Sequence, residues 1–486
     1  MLIKRFYDEK LAQASYMVGC AAAGEALVID ANRDVAQYLR AAEQEGLRIT
    51  HVTETHIHAD FVSGSRELAE HAGATLLLSG EGGPDWQYAF AGVASTVLLT
   101  DGATFKVGNI RVDALHTPGH TPEHMSFMVT DTAATDRPMG VFTGDFVFAG
   151  DVGRPDLLER AAKLVGTMEA GARALYRSLQ SFKRLPDYLQ LWPGHGAGSA
   201  CGKSLGAVPS TTLGYEKIVN WGFAEMAEDR FVDAVLAGQP EPPKYFAEMK
   251  RVNKQGPRSL HGFGRPDRLA EQLLPGLLAE GVAIVDTRPA PEFAARHIPG
   301  TINIPMNKSF TTWAGWLVPY DRPFYLIADD AAAHGVDEAV RDLAMIGLDR
   351  VEGYFGAAVI DAWAAEGREP ASIPQTTTKD VADALAHGSV AVVDVRAATE
   401  WAAGHLPGVP NIPLGLLTDR IDELPSGRPL VVYCQSGARS AIAASVLRAN
   451  GIQHVVNLAG GFSAWAAKGN RVERETDQVA EIAWRS

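Results

Sequence analysis

Short apolar runs recur along this chain, and many of them stop abruptly at a histidine, an aspartate or a cysteine. In the first half, RITHVTET leads into His56, IRVDAL into HTPGH, MGVFTG into Asp145 and YLQLWPG into His195. Runs of this length, rich in β-branched residues and bounded by Gly and Pro, predict strands. SRELAEHAG and ARALYRSLQSFKRL, which lie between them, carry the apolar spacing of helices. Polar side chains gathered at strand ends are the usual construction of a catalytic face on a rigid scaffold.

The second half repeats itself. DTRPAPEFAARHIPGTINIP begins at Asp286 and DVRAATEWAAGHLPGVPNIP at Asp394, and each is framed by apolar runs, VAIVD and FYLIA in one copy, VAVVD and LVVYC in the other. An Ala-rich helical stretch follows in both. Strand–helix alternation duplicated at this length predicts two α/β domains with mostly parallel sheets, not a solenoid. GREPASIPQTTTKD separates the copies, and the polar stretch GQPEPPKYFAEMKRVNKQGPRS sets them apart from the N-terminal region.

A length of 486 residues agrees with about three domains. The net charge of −14 argues against nucleic acid and anionic membrane as partners. MLIKRFYDEK lacks the pattern of a secretory signal, and no apolar run is long enough to span a bilayer. The three cysteines, Cys20, Cys201 and Cys434, are too scattered for a disulfide framework, so a cytoplasmic protein with reduced thiols is expected.

ETHIHADFVSG contains His56, His58 and Asp60, which an extended backbone would direct to one side, toward a cation. HTPGHTPEH (His116, His120, His124), TGD (Asp145) and PGH (His195) follow in order. Together the four blocks resemble the metallo-β-lactamase fold, an αββα sandwich, over residues 1–240. In binuclear members of that fold a histidine follows the aspartate; here Phe61 stands there and cannot bind metal. A site short of one ligand favours a single metal held by two histidines and a carboxylate, the set typical of non-haem Fe(II) enzymes.

With GDVGRPDL added, the chain resembles the persulfide dioxygenase branch of the fold. That resemblance implies one Fe(II) per chain on His56, His120 and Asp145, with zinc as the alternative. His58, Asp60 and His195 would orient water, substrate or oxygen beside it, or serve as alternative ligands. His116 and His124 are expected to fix their loop. Arg154 is read as a surface charge, a structural group or a substrate-gripping one. Cys201 is either a buried apolar residue or, with Lys203 nearby, an accessible thiol contacting substrate.

PLVVYCQSGARSAIAASVLRA is an apolar strand, a short loop and a helix, with Cys434 at the strand end. The loop residues Gln435, Ser436, Gly437, Ala438 and Ser440 can curl around the sulfur, and the helix start and Arg439 add positive potential. Four residues separate Cys434 from Arg439, a tighter cradle than the five of cysteine-dependent phosphatases, and one that suits a single extra sulfur atom. The segment resembles an active rhodanese, with Asp394, Arg396, Glu400 and His405 supporting the loop. The first copy has Ala328, Asp329 and Asp330 around the cysteine position, and its carboxylates are expected to repel an anionic sulfur donor.

The expected architecture is therefore α/β: a metallo-β-lactamase sandwich over 1–240, a linker over 241–262, a degenerate rhodanese domain over 263–370 and an active one over 371–486. The whole arrangement resembles bacterial persulfide dioxygenase–rhodanese fusions. It implies oxidation of a thiol persulfide by O2 to sulfite, then transfer of sulfur through Cys434 to give thiosulfate. Persulfide, O2 and sulfite are the expected partners, in a homo-oligomer. The alternatives are a zinc-dependent, glyoxalase II-like thioester hydrolase and a non-enzymatic sulfur relay.

Overall fold

The computed structural model describes residues 1–92, 95–162, 166–199, 201–203, 205–239, 241–330 and 335–475. Residues 331–334 of the first repeat and the end of the last domain, 476–486, lie outside the described residues. The chain divides into two compact units: Met1–Gly264 with Arg341–Leu348, and Arg265–Val340 with the chain from Asp349 onward.

The first unit has two six-stranded sheets. One runs in sequence order through Leu2–Asp8, Gln13–Cys20, Glu25–Ile29, Arg48–Thr53, Thr75–Ser79 and Thr96–Leu99. The other runs from Thr211–Thr212 through Gln190–Pro193, Gly140–Gly144, Met125–Asp131 and Ile110–His116 to Thr104–Val107. Alternation along the strands explains the layering, because successive side chains point to opposite faces. Leu76 and Leu78 join Tyr38, Ala41 and Leu68 in a core beneath the helices Val35–Gln44 and Ser65–Ala72. Leu77, Leu27 and Ile29 point the other way and meet Val112, Phe127 and Phe142 between the sheets. Val141 and Leu191 of the second sheet pack outward on Leu175, Leu179 and Phe231. Two sheets with helices on both outer faces form the expected αββα sandwich.

The linker expectation needs correction. Within 241–262, Tyr245–Gln255 is an α-helix whose Tyr245, Phe246, Met249 and Asn253 are buried. The Asn253 amide donates to the carbonyls of His58 (2.8 Å) and Phe61 (2.7 Å), and its oxygen accepts from the Ser63 amide (2.9 Å). This helix therefore clamps the loop that carries His58, Asp60 and Phe61. Replacing Asn253 with leucine would orphan three buried backbone groups and is expected to cost about 3 kcal/mol. A lowered urea midpoint for this unit, with loss of bound metal, would register it. Arg341–Leu348, expected inside the first repeat, also clusters with this unit. Arg341 pairs with Asp8 (3.1 Å) and Asp34 (3.3 Å), and Val62 N–H donates to the Met345 carbonyl (2.8 Å).

In the second unit the two repeats form four-stranded, all-parallel sheets, one of Ile302–Asn303, Ala283–Asp286, Phe324–Ile327 and Val351–Phe355, the other of Gln375–Thr376, Val455–Leu458, Leu430–Tyr433 and Ala391–Asp394. Shared residues perform matching tasks. Arg288 forks onto Asp286 and Arg396 onto Asp394, while the Asn303 and Asn411 amides each donate to the two backbone carbonyls of that pair. His297 stacks on Phe293 and His405 on Trp401, both at 4.0 Å between centroids. The repeated residues thus support loops. Among the described residues no helix is long and apolar enough to cross a membrane.

Candidate metal centre and sulfur-transfer loop

Strand ends bring His56, His120 and Asp145 together, buried, with ligand atoms within 4.8 Å of one another. Gly144, just before Asp145, has φ +49°, and a Cβ there would fall 2.5 Å from the Thr55 hydroxyl. The tight TGD turn thus requires glycine. Each imidazole is oriented by its outer nitrogen. His56 Nδ1 meets the Thr55 hydroxyl (3.0 Å), which itself donates to Asp30 (3.0 Å), so His56 donates and keeps Nε2 as a lone pair. His120 Nδ1 donates to the Arg154 carbonyl (3.0 Å), freeing Nε2, which stands 3.5 Å from Asp145 Oδ2. This arrangement, with the second N–H held by a protein acceptor, is that of metal-ligating histidines.

Burial, reinforced by neighbouring imidazoles, holds His56 well below its ordinary pKa, and burial outweighs Asp145 to lower His120. Both are neutral and able to coordinate. Burial pushes the Asp145 carboxyl up, but four surrounding imidazoles outweigh it and hold the group below the usual range. Asp145 is thus ionised, yet neither of its oxygens has a hydrogen-bond partner. A buried carboxylate with no hydrogen bond, only imidazoles at 3.4 and 3.5 Å, is costly, and a cation among these donors removes that cost.

The other histidines differ. Burial opposes protonation of His58, but Asp30, bonded to its Nε2 at 3.1 Å, carries it up to about 9. That bond uses Nε2, while the His58 Nδ1 is buried without a hydrogen-bond partner. His124 Nε2 accepts the Asp145 backbone N–H (3.1 Å), and His116 Nε2 donates to the Pro122 carbonyl (2.8 Å). His195 Nδ1 donates to the Ala12 carbonyl, and its Nε2 faces Asp60 (3.2 Å) and Asp145 (3.4 Å). Asp60, His195 and Cys201 form a second buried group with metal-ligating atoms. Phe61 is fully buried against the His58 ring, 4.4 Å between centroids.

For Cys201 and Arg154 the structure selects among the expected alternatives, and it places Lys203 on other partners. Cys201 is buried, and burial, with Asp145 and Asp60 nearby, drives its thiol well above the ordinary value. It is not an accessible thiol in a positive setting. Lys203 donates to the Ala234 carbonyl and approaches the Trp221 ring at 5.6 Å. Arg154 is completely buried and forks onto Asp156 at 2.8 Å, so its charge is used internally while its carbonyl positions His120.

Cys434 directly follows the strand Leu430–Tyr433, and Gly437, at φ +100°, turns the loop into the helix Ala438–Ala449. Gly437 N–H donates to the sulfur at 3.2 Å and the Ser440 hydroxyl at 3.5 Å. Gln435 is held by Arg396 (3.1 Å) and Ser463 (2.9 Å), and Ser436 and Ala438 are exposed at the rim. Arg439 forks onto Glu400 at 2.6 and 2.7 Å, which fixes its guanidinium beside the loop. In the first copy Ala328 follows its strand as Cys434 does. Its Asp330 is not a bare negative charge: Arg268 (3.1 Å), Arg265 (3.3 Å) and the Tyr354 hydroxyl take it up. A cavity of about 600 Å³ lies at the strand ends of this copy, lined by Arg288, Met306, Trp313 and Asp329 and bounded by Arg439 and Ile442.

Residues 9–195 match the metallo-beta-lactamase superfamily, and residues 269–341 and 377–468 match the rhodanese-like domain. A solved metallo-beta-lactamase from Staphylococcus aureus is 43% identical, with a TM-score of 0.65 over 73% of this chain and 99% of that one. The chain belongs to the metallo-β-lactamase superfamily and carries rhodanese-like domains. A sulfurtransferase of Allochromatium vinosum is 42% identical over 80 residues, 16% of this chain and 75% of that protein. A hydroxyacylglutathione hydrolase of Methylococcus capsulatus is 31% identical over 157 residues, 32% of this chain and 52% of that enzyme.

Sequence reasoning passed over Asp30 and Asn253. Asp30 ends a strand at φ +56° and anchors both Thr55 and His58. Its place after the apolar run ALVI was a usable signal. Asn253 shares a helix face with Tyr245 and Met249, a four-residue spacing hidden by polar composition.

Proposed function

We propose that the metallo-β-lactamase domain is a mononuclear Fe(II) persulfide dioxygenase and that the second rhodanese domain turns its product into thiosulfate. The observation that carries this reading is the buried Asp145 carboxylate, without a conventional hydrogen bond and set between neutral His56 and His120, on the same chain as a Cys434 loop sized for one sulfur. Two imidazoles and one carboxylate are the donor set of oxygen-using ferrous sites. Ferrous ion bound there supplies the redox chemistry by which one persulfide, one O2 and one water yield thiol and sulfite.

The protein's own residues do the rest. His56, His120 and Asp145 hold the ion, and Thr55 and the Arg154 carbonyl keep the two rings in the coordinating tautomer. His195 and Asp60 face the same interior and orient what enters. On the rhodanese side, Cys434 takes the outer sulfur of a second persulfide, releasing its thiolate. Sulfite then attacks that sulfur, the S–S bond to Cys434 breaks, and thiosulfate leaves with the Cys434 thiolate restored. Gly437 N–H and the Ser440 hydroxyl stabilise charge on the sulfur in both steps. The cysteine-free first copy walls the approach to Arg439 and receives the carrier part of the persulfide.

A second reading, a dizinc thioester hydrolase, draws support from the Asp60–His195–Cys201 group and from similarity to a hydroxyacylglutathione hydrolase. Anaerobic metal analysis with oxygen uptake on a panel of thiol persulfides separates the two. One iron per chain and persulfide-dependent uptake are expected; two zinc ions, thioester hydrolysis and no uptake would overturn the dioxygenase assignment.

A further inference from the structure

On the outer face of the first unit, far in sequence from TGD and PGH, a second set of histidines converges. Glu67 and His71 stand one turn apart on the helix Ser65–Ala72 and so share a face. The segment Ser259–His261 folds back onto that face. Leu260 and His261 donate their backbone N–H groups to the two oxygens of Glu67 (2.9 and 2.8 Å), and the Ser259 hydroxyl donates to Glu70 (3.0 Å). His261 sits at φ +54°, in the left-handed region where histidine is enriched among residues other than glycine. Its Nδ1 faces His71 Nε2 at 3.0 Å with the rings stacked, and the ligand atoms of Glu67, His71 and His261 all lie within 4.8 Å of one another.

We propose that Glu67, His71 and His261 form a zinc-binding site that fastens the segment before Arg265 onto this helix. Two imidazole nitrogens on one zinc ion, each about 2.0–2.1 Å from it, stand roughly 3.0–3.4 Å apart, so the two rings need almost no movement. The N–H now shared between them shifts to the outer nitrogen of its own ring, which is exposed to water, and both facing nitrogens become donors. Glu67 is buried, and each of its oxygens keeps a lone pair beyond its backbone bond. Both histidines are exposed, so water completes the shell. The site is independent of the catalytic reading, since it shares no residue with His56, His120 and Asp145.

Cobalt(II) titration of the full-length protein, its catalytic metal already loaded, tests the proposal, with His71→Ala and His261→Asn as variants. Asparagine tolerates the left-handed backbone at 261 and so preserves the fold. The wild type is expected to take up one additional Co2+ per chain at low micromolar concentration, with visible bands but no thiolate charge-transfer band. Either variant should weaken that binding at least tenfold. No additional uptake would overturn the proposal, as would uptake unchanged in both variants. A thiolate charge-transfer band that persists in the variants would place the ion at Cys201 and likewise overturn it.

Discussion

Cys434→Ser is expected to abolish thiosulfate formation, by at least about a thousandfold, as removal of a covalent nucleophile does. Serine preserves the size of the side chain, and the Gly437 and Ser440 donors remain in place around it. What disappears is the atom that carries the transferred sulfur. No other cysteine can replace it, because Cys20 and Cys201 are buried in the other unit. Oxygen uptake and release of sulfite, proposed for the centre of His56, His120 and Asp145, should continue at the wild-type rate. Sulfite would then accumulate where the wild type yields thiosulfate. Parallel oxygen-electrode and ion-chromatography measurements decide the matter: loss of both activities would mean that the two centres do not act in succession, and retained thiosulfate formation would remove Cys434 from the chemistry.

Most of this organisation was legible because the strongest signals are local. Strand alternation in LVIDA, TLLLS and GVFTG specifies which residues face the helices and which face the opposing sheet, and the repeat from Asp286 to Asp394 marks a duplicated domain. The loop CQSGARS displays its own geometry, since only one nucleophile, one turn glycine and one arginine fit that spacing. What escaped depends on pairings distant in sequence. Polar composition made Tyr245–Gln255 look like a linker, yet Asn253 reaches back 195 and 192 residues to the His58 and Phe61 carbonyls. Arg154 and Cys201 were ambiguous for a related reason. A charged residue reads as exposed until its partner is known, and Asp156 removes Arg154 from the substrate's reach. Asp330 is the converse case: its negative charge is plain in the sequence, whereas its neutralisation by Arg265 and Arg268 emerges only in the fold.

At the metal domain, Asp145→Asn separates charge from shape. Asparagine fits the same turn, leaves Gly144 strain-free and retains the backbone N–H that His124 accepts. It deletes the carboxylate charge beside His56 and His120 that makes a divalent cation favourable there. Changing groups that merely orient ligands costs 10–100-fold in metal affinity, so loss of the carboxylate itself should exceed about 100-fold. Iron content should fall from one per chain to near zero, and persulfide-dependent oxygen uptake with it. The rhodanese reaction offers an internal control, because supplied sulfite and persulfide should still yield thiosulfate through Cys434. Iron retained with normal uptake would show that the ion sits elsewhere, with Asp60, His195 and Cys201 the nearest candidates. Iron lost together with rhodanese activity would instead indicate a misfolded chain, which circular dichroism and the urea midpoint of each unit would reveal.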